Sequence, residues 1–307
     1  MRLLRLITSF CVIILVVILM RCGDRSTKKD SIIKSSDSIQ SLSDDNVSSF
    51  KSGYSLVNGI KMYYEIHGAG KTLVLIHGGG STIQTTFGRI LPILAKSRQI
   101  IAIELQAHGH TEDRNVPESF EQDADDVAAL LKNLTISKAD FLGFSNGGNT
   151  AMQIAIRHPE LVEKLVVASS FYKKDGLIPG FFEGLKRASL DNMPALLKTA
   201  YLHETPDTAR LKIMFKKDRE RMMYFKDWSD KDIKLIVQPT LLVVGDEDVV
   251  LPEHAVAMSH VIPHCRLAII PGGHGKYLGE ITTLTDGKWT QKYVISLIEQ
   301  FLDTSNI

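Results

Sequence analysis

The sequence predicts an α/β fold: a mostly parallel central sheet with helices on both faces and a helical insertion late in the chain. Three observations carry this. From Tyr54 onward short apolar runs alternate with amphipathic segments, as strands and helices do in a parallel sheet. Several of those runs, such as "KTLVLIHGGG" and "TLLVVG", are continuous and end in glycine, the form of strands buried on both faces. The alternation stops after Phe171 and resumes near Gln238, so residues 171 to about 236 read as several helices rich in Met, Phe, Lys and Arg.

Taken in order, "YSLVNGIKMYYEIHG" reads as two strands joined by Asn58-Gly59, a pair suited to the positive φ of a tight hairpin. The buried strand "KTLVLI" follows, then a helical segment through Leu94 and the strand "QIIAIELQ". "SFEQDADDVAALLKNL" places apolar residues at helical spacing and acidic residues near its start, where they favour the helix dipole. Next come the strand "ADFLGF", a helix ending near His158-Pro159 and the strand "KLVVASS". After the helical insertion, "QPTLLVVGDEDVV" and "CRLAIIPGGHG" restore the strand–helix rhythm, and "TQKYVISLIEQFL" closes the chain as an amphipathic helix.

The 307-residue chain is 44% hydrophobic and 23% charged, enough for a sizeable core. Its formal net charge of +1 provides no global field for nucleic acid, so no nucleic-acid partner is expected. Cys11, Cys22 and Cys265 form neither a disulfide framework nor a zinc spacing, and Cys265, before an apolar run, reads as a buried inert thiol.

Ahead of the fold, residues 1–22 begin with Arg2 and Arg5 and continue as an apolar run to Met20, the form of a secretory signal or membrane anchor. The run is short for a bilayer span of about 20 residues. Leu19-Met20-Arg21-Cys22 resembles a bacterial lipoprotein processing site, with Cys22 the lipidation candidate, although Arg21 stands where a small residue is usual. An uncleaved anchor is the alternative, and both attach the chain to a membrane. Arg21, Arg25, Lys28 and Lys29 after the run argue against an outward orientation, because basic flanks stay cytoplasmic. The expectation is an extracytoplasmic, membrane-attached protein. Residues 23–49 are one-third Ser and lack aromatics, a composition that cannot bury enough surface to fold. As a flexible tether they would span about 30 Å and hold the domain, 50–307, off a bilayer.

The chemistry is concentrated at Gly143-Phe144-Ser145-Asn146-Gly147, between a strand and a helix. A serine becomes a nucleophile only when reachable and beside a base. A sharp strand-to-helix turn meets the first need, and Gly143 and Gly147 supply it because flanking side chains would crowd the helix. The competing reading is a glycine-rich connection in which Ser145 merely caps the helix. Two downstream features, in the required chain order, decide against it. Asp246 and Asp248 follow the strand "TLLVVG", and His274 follows the last strand amid glycines. Asp248, further past the strand end, is the chosen partner for His274; Asp246 is assigned to the turn. His254 and His260 lie in a helical pattern, and His264 precedes a strand at the end away from the chemistry. In "IHGGGST", glycines expose backbone N–H groups suited to an oxyanion, with Gly79 or Gly80 acting together with Asn146. A phosphate loop is set aside, since no G-K-[ST] occurs there.

These residues, "HGGG" at 77–80, "GFSNGG" at 143–148, "GDEDVVLP" at 245–252 and "GGHG" at 272–275, resemble the α/β-hydrolase superfamily over Tyr54 to the C-terminus. The resemblance implies Ser145 as nucleophile, Asp248 as acid and His274 as base, with 171–236 as a helical cap inserted after the sixth strand. In "ELQAHGHTED" it implies structural roles for His108 and His110. Ser145 argues against dehalogenases and epoxide hydrolases, whose nucleophile is Asp, and Asn146 departs from the Gly-x-Ser-Trp-Gly of proline iminopeptidases. A carboxylic ester or lactone hydrolase is expected, with C–C bond hydrolases of aromatic degradation next and a non-catalytic ligand-binding protein as the rival class. Phe181, Phe182, Met222, Met223 and Phe225 of the cap suggest an apolar acyl or aromatic group, or simply cap core. No metal or organic cofactor is implied; the partner is a small ester-like molecule.

Overall fold

The computed structural model describes residues 50–304 except Asp286. The expected anchor 1–22, its Cys22 and the tether 23–49 lie outside the described residues. Among the described residues no helix is long and apolar enough to cross a membrane.

Eight strands form one sheet: β1 (Lys51–Val57), β2 (Ile60–His67), β3 (Lys71–Ile76), β4 (Arg98–Ile103), β5 (Ala139–Phe144), β6 (Val162–Ala168), β7 (Thr240–Gly245) and β8 (Cys265–Ile270). Their order is β1-β2-β4-β3-β5-β6-β7-β8. The β1–β2 and β2–β4 pairs are antiparallel and the remainder parallel. The hairpin turn is Asn58-Gly59, both with positive φ (43° and 89°), which matches the twist of the flanking strands.

Alternation along the strands divides the core between the two faces. On one face Val74, Ile76, Ile101, Ile103, Phe141 and Leu165 pack against α3 (Phe120–Asn133), α4 (Asn146–Arg157) and α9 (Pro252–Val261). On the other, Leu73, Leu75, Ile100, Leu142 and Val166 pack against α1 (Ile83–Phe87), α2 (Leu91–Leu94) and α10 (Tyr293–Asp303). Each fully buried Leu or Ile contributes about 1.5–3 kcal/mol of transfer free energy, which explains the apolar runs Leu73–Ile76 of β3 and Leu241–Val244 of β7. Ser119 caps α3 by accepting from Gln122 N at 3.1 Å, with Glu121 and Asp123 in its first turn. Lys164, at the start of β6, donates to the carbonyls of Phe301, Leu302 and Thr304 (3.1, 2.8 and 2.5 Å), placing a cation at the C-terminal end of α10.

β4 ends at Ile103, three residues before the expected strand does. The Glu104 carboxylate accepts from His110 N at 2.6 Å, and the Thr111 hydroxyl donates to Glu104 O at 2.7 Å, so the chain closes into a turn there. Between β6 and β7 lie α5 (Phe181–Arg187), α6 (Ala195–Glu204), α7 (Thr208–Met223) and α8 (Asp230–Ile233). Phe171, Leu177, Met222 and Phe225 build one cluster of this helical cap over the sheet, and Met193, Tyr201, Leu211 and Met214 another. Tyr172, Ile233 and Ile236, at the two ends of the insertion, pack into the layer of α3 and α4.

Candidate active site

Ser145 stands at the junction of β5 and α4 with φ 53° and ψ −122°. An L-residue pays for that backbone only where its surroundings hold it, and here they do. Ser145 N donates to Ala168 O at 2.8 Å. Its carbonyl accepts from Gly148 N, Asn149 N and the Ser170 hydroxyl (2.9, 3.1 and 2.7 Å). The glycines are required by close approach. A Cβ on Gly143 would fall on the Gly147 carbonyl, one on Gly147 on the carbonyls of Ile76 and His77, and one on Gly148 on the Ser170 hydroxyl.

His274 and Asp248 are brought together. His274 Nδ1 lies 2.7 Å from Asp248 Oδ1, so the ring donates there and its Nε2 is left as an acceptor. Asp248 is 5% exposed, and its second oxygen accepts from the Ser169 hydroxyl at 2.5 Å and from Gly245 N at 3.2 Å. Burial would raise its pKa, but the adjoining His274, the Ser169 hydroxyl and the Val250 N–H hold it below the usual carboxylate range. Ser169, itself at φ 53°, also contacts the Tyr277 hydroxyl at 2.6 Å, and Tyr277 donates to Val243 O at 3.1 Å. Asp246 instead accepts from Gly272 N at 2.6 Å within the turn. His254 is buried in α9 and accepts from Tyr172 N at 3.3 Å. The Ser145 hydroxyl makes no hydrogen bond among the described residues; it and His274 line one cavity.

The glycine loop after β3 is held from below by His77. Its Nδ1 lies 2.7 Å from Gly78 O and its Nε2 accepts from Leu105 N at 3.1 Å. Complete burial pushes its pKa down to about 3, so it is neutral. Among the described residues the N–H groups of Gly79 and Asn146 have no protein acceptor. Gly80 is different: its N–H donates to the Asp218 carboxylate of α7. That removes Gly80 from the donors expected of this loop and leaves Gly79 and Asn146. Asp218 also accepts from His108 Nε2 at 2.9 Å, from Asn146 Nδ2 at 3.5 Å and from Arg221.

A sharp turn between the fifth strand and its helix, an acid after β7, a histidine after β8 and a helical insertion between β6 and β7 together mark one architecture. The family model of the alpha/beta hydrolase fold matches residues 71–280. The chain belongs to the α/β-hydrolase family. Among curated relatives it is similar to serine hydrolase BPHL of Homo sapiens, 29% identical over 248 residues, 75% of this chain and 83% of that protein. It is 30% identical over 216 residues to the 2-hydroxymuconate semialdehyde hydrolase of Pseudomonas sp. (strain CF600), 63% of this chain and 76% of that protein. A solved meta-cleavage product hydrolase of Pseudomonas fluorescens IP01 superposes with a TM-score of 0.68 at 22% identity, over 83% of this chain and 98% of that one, a likeness of fold.

In this α/β hydrolase the cavity at Ser145 measures about 250 Å³. Gly79, Asn146 and His274 line it together with Ser145, and Leu185, Met193, Leu197, Met214, Phe181 and Met222 form its cap-side wall. Of the cap residues expected at the substrate, Phe182 and Met223 do not line it, and Phe225 packs with Phe120, Phe171 and Trp228. Glu280 lines the opposite side; burial raises its pKa, and it accepts from Thr282 N at 2.8 Å. Cys265 is half-buried on β8, its thiol pushed up to about 12 by burial. Among the described residues no group of three His, Cys, Asp or Glu is placed to hold a metal ion.

Asp218, Ser169 and Tyr277 were not among the residues expected at the site. Asp218 carries a signal in retrospect. The buried stripe of α7 runs Leu211, Met214, Asp218, Arg221, Met222, so an acid and a base occupy apolar positions. Ser169 and Tyr277 carry none, being a small polar residue at a strand end and an aromatic in a turn.

Proposed function

We propose that this α/β hydrolase is a serine hydrolase that cleaves a carboxylic ester or lactone through an acyl-enzyme. The observation that carries the reading is the 2.7 Å contact between His274 Nδ1 and Asp248 Oδ1 beside the cavity that His274 and Ser145 both line. In this reading His274 takes the Ser145 proton as the hydroxyl oxygen attacks the substrate carbonyl. The negative charge that forms on the substrate's carbonyl oxygen is received by the N–H groups of Gly79 and Asn146. Collapse expels the alcohol, or opens the lactone, with the proton returned by His274. A water then repeats the sequence on the acyl-serine and releases the acid. Asp248 holds the tautomer and stabilises the imidazolium.

The cavity is at the small end of ligand pockets and mostly apolar, which supports short or medium acyl chains or a compact aromatic group. A second reading, C–C bond hydrolysis, draws on the likeness to the 2-hydroxymuconate semialdehyde hydrolase. The sequence of residues 1–22 further supports attachment of the domain to a membrane, with Cys22→Ala and cell fractionation as its check.

The deciding experiment is fluorophosphonate labelling of the full-length chain beside Ser145→Ala, followed by turnover on a panel of nitrophenyl esters, lactones and a ring-cleaved vinylogous diketone. Labelling confined to the wild type, with ester or lactone turnover reduced about 10⁶-fold in Ser145→Ala, is the expected result. Turnover of the diketone alone would favour the second reading, and absence of labelling would favour a binding protein.

A further inference from the structure

The cap of a hydrolase is ordinarily a wall for the substrate, yet here it reaches the glycine loop itself. Asp218 lies on α7, 138 residues from Gly80 and 72 from Asn146, and its carboxylate meets both. It accepts the Gly80 N–H, which fixes the plane of the Gly79–Gly80 peptide at a glycine of φ +66° that has no side chain to restrain it. It also accepts from the Asn146 side-chain amide, which packs over Gly79 so closely that a Cβ there would meet Nδ2. One carboxylate on the cap thus holds the residue that follows Gly79 and the side chain of Asn146, beside the two N–H groups that have no protein acceptor among the described residues.

A carboxylate so near a forming oxyanion would repel it if left uncompensated. His108 Nε2, at 2.9 Å, and Arg221 sit against the same oxygens. Arg221 in turn reaches Asp123 at 2.7 Å and Glu118 at 3.6 Å. The cluster therefore holds the loop by hydrogen bonds while its charges cancel at close range.

We propose that Asp218 is a positioning residue for the oxyanion loop, so that the hole is formed only when the cap is seated. The inference rests on the serine-hydrolase reading above. Merely anchoring the cap would affect substrate capture, whereas setting the loop affects the step in which charge develops.

The test compares wild type, Asp218→Ala, Asp218→Asn and Leu197→Ala as full-length proteins, reading kcat and KM on a short nitrophenyl ester and the fluorophosphonate labelling rate. Leu197 lines the cavity from the cap, and its side chain has no atom that could hydrogen-bond to the loop. Asp218→Ala is expected to lower kcat and the labelling rate about 100-fold, the effect of losing one oxyanion donor, with KM within about threefold. Asp218→Asn, whose side-chain oxygen still accepts from Gly80, should recover about tenfold of that loss, and it answers the question should the alanine variant not fold. Leu197→Ala should raise KM with kcat nearly unchanged. Wild-type kcat in both Asp218 variants, or kcat and KM moving together as in a loosened cap, overturns the inference alone. An unlabelled wild type overturns the hydrolase reading and the inference with it.

Discussion

Ser145 keeps its left-handed backbone because Ala168, Gly148, Asn149 and Ser170 all bond to it and because three neighbouring residues have no side chain. Gly147→Ala should be among the most damaging single changes. Its methyl would meet the backbone of Ile76 and His77, which cannot rotate away as a side chain would. We expect a loss of at least about 2–3 kcal/mol of stability, read by denaturant titration, together with loss of Ser145 labelling. Gly184→Ala is the control: nothing lies within 4 Å of a Cβ there, and α5 should gain up to ~1 kcal/mol. Ser169→Ala tests the far side of the site. It removes a hydrogen bond to the ionised Asp248, and kcat is expected to fall about tenfold with KM unchanged. The Ser145 turn and the pairing of Asp248 with His274 could be expected from sequence because each sits at a strand end marked by glycine. Asp218 could not, since its partners are distant in sequence and no local pattern says which way a cap helix faces.

Among the elements, β3 and β7 were legible as continuous apolar runs, and the hairpin as Asn58-Gly59, because burial on both faces and positive φ leave direct compositional traces. Strand ends were less so: β4 stops where the Glu104 carboxylate bonds the following turn, a side-chain event with no periodic signature. The anchoring of α10 is another such case. Lys164 satisfies three carbonyls at the end of that helix, and no spacing rule connects β6 with a helix 137 residues on. Lys164→Gln should loosen this end of the molecule, lowering the unfolding temperature by about 2–4 °C for each kcal/mol lost. Increased amide exchange confined to residues near 295–304 would locate the effect.

At the scale of the whole molecule, the buried charges beneath the cap make stability depend on pH. Burial raises the Glu118 pKa to about 8. Burial alone would lower that of His108, but the Asp218 carboxylate outweighs it and carries it up to about 9. By pH 7 the unfolded chain, with ordinary values of about 4.3 and 6.5, has lost the glutamate proton and most of the histidine's, whereas the folded chain still holds both. The His108 contribution is therefore fully present below its unfolded pKa and is lost as pH rises through about 9. For Glu118, ionisation inside the fold is the unfavourable event, so stability declines until pH passes about 8. Asp218, Arg221 and Asp123 face these groups and stay charged across that range, since burial lifts Asp123 only to about 6. We expect the unfolding midpoint to fall by about 5 °C between pH 7 and pH 9, with a shallower slope in Glu118→Gln.

The single N–H of Gly80 also bears on how such proteins diversify. The insertion between β6 and β7 supplies one wall of the cavity, while Ser145, Asp248 and His274 follow strands of the sheet, so exchanging one stretch of chain is an obvious route to a new lining. But Gly80 has its acceptor on α7 and nowhere else among the described residues. A transplanted insertion would have to bring an oxygen to the same place or leave that amide orphaned at the wall of the cavity. Grafts from relatives into this scaffold should therefore divide into working and dead chimaeras according to one acceptor atom, whatever their apolar lining.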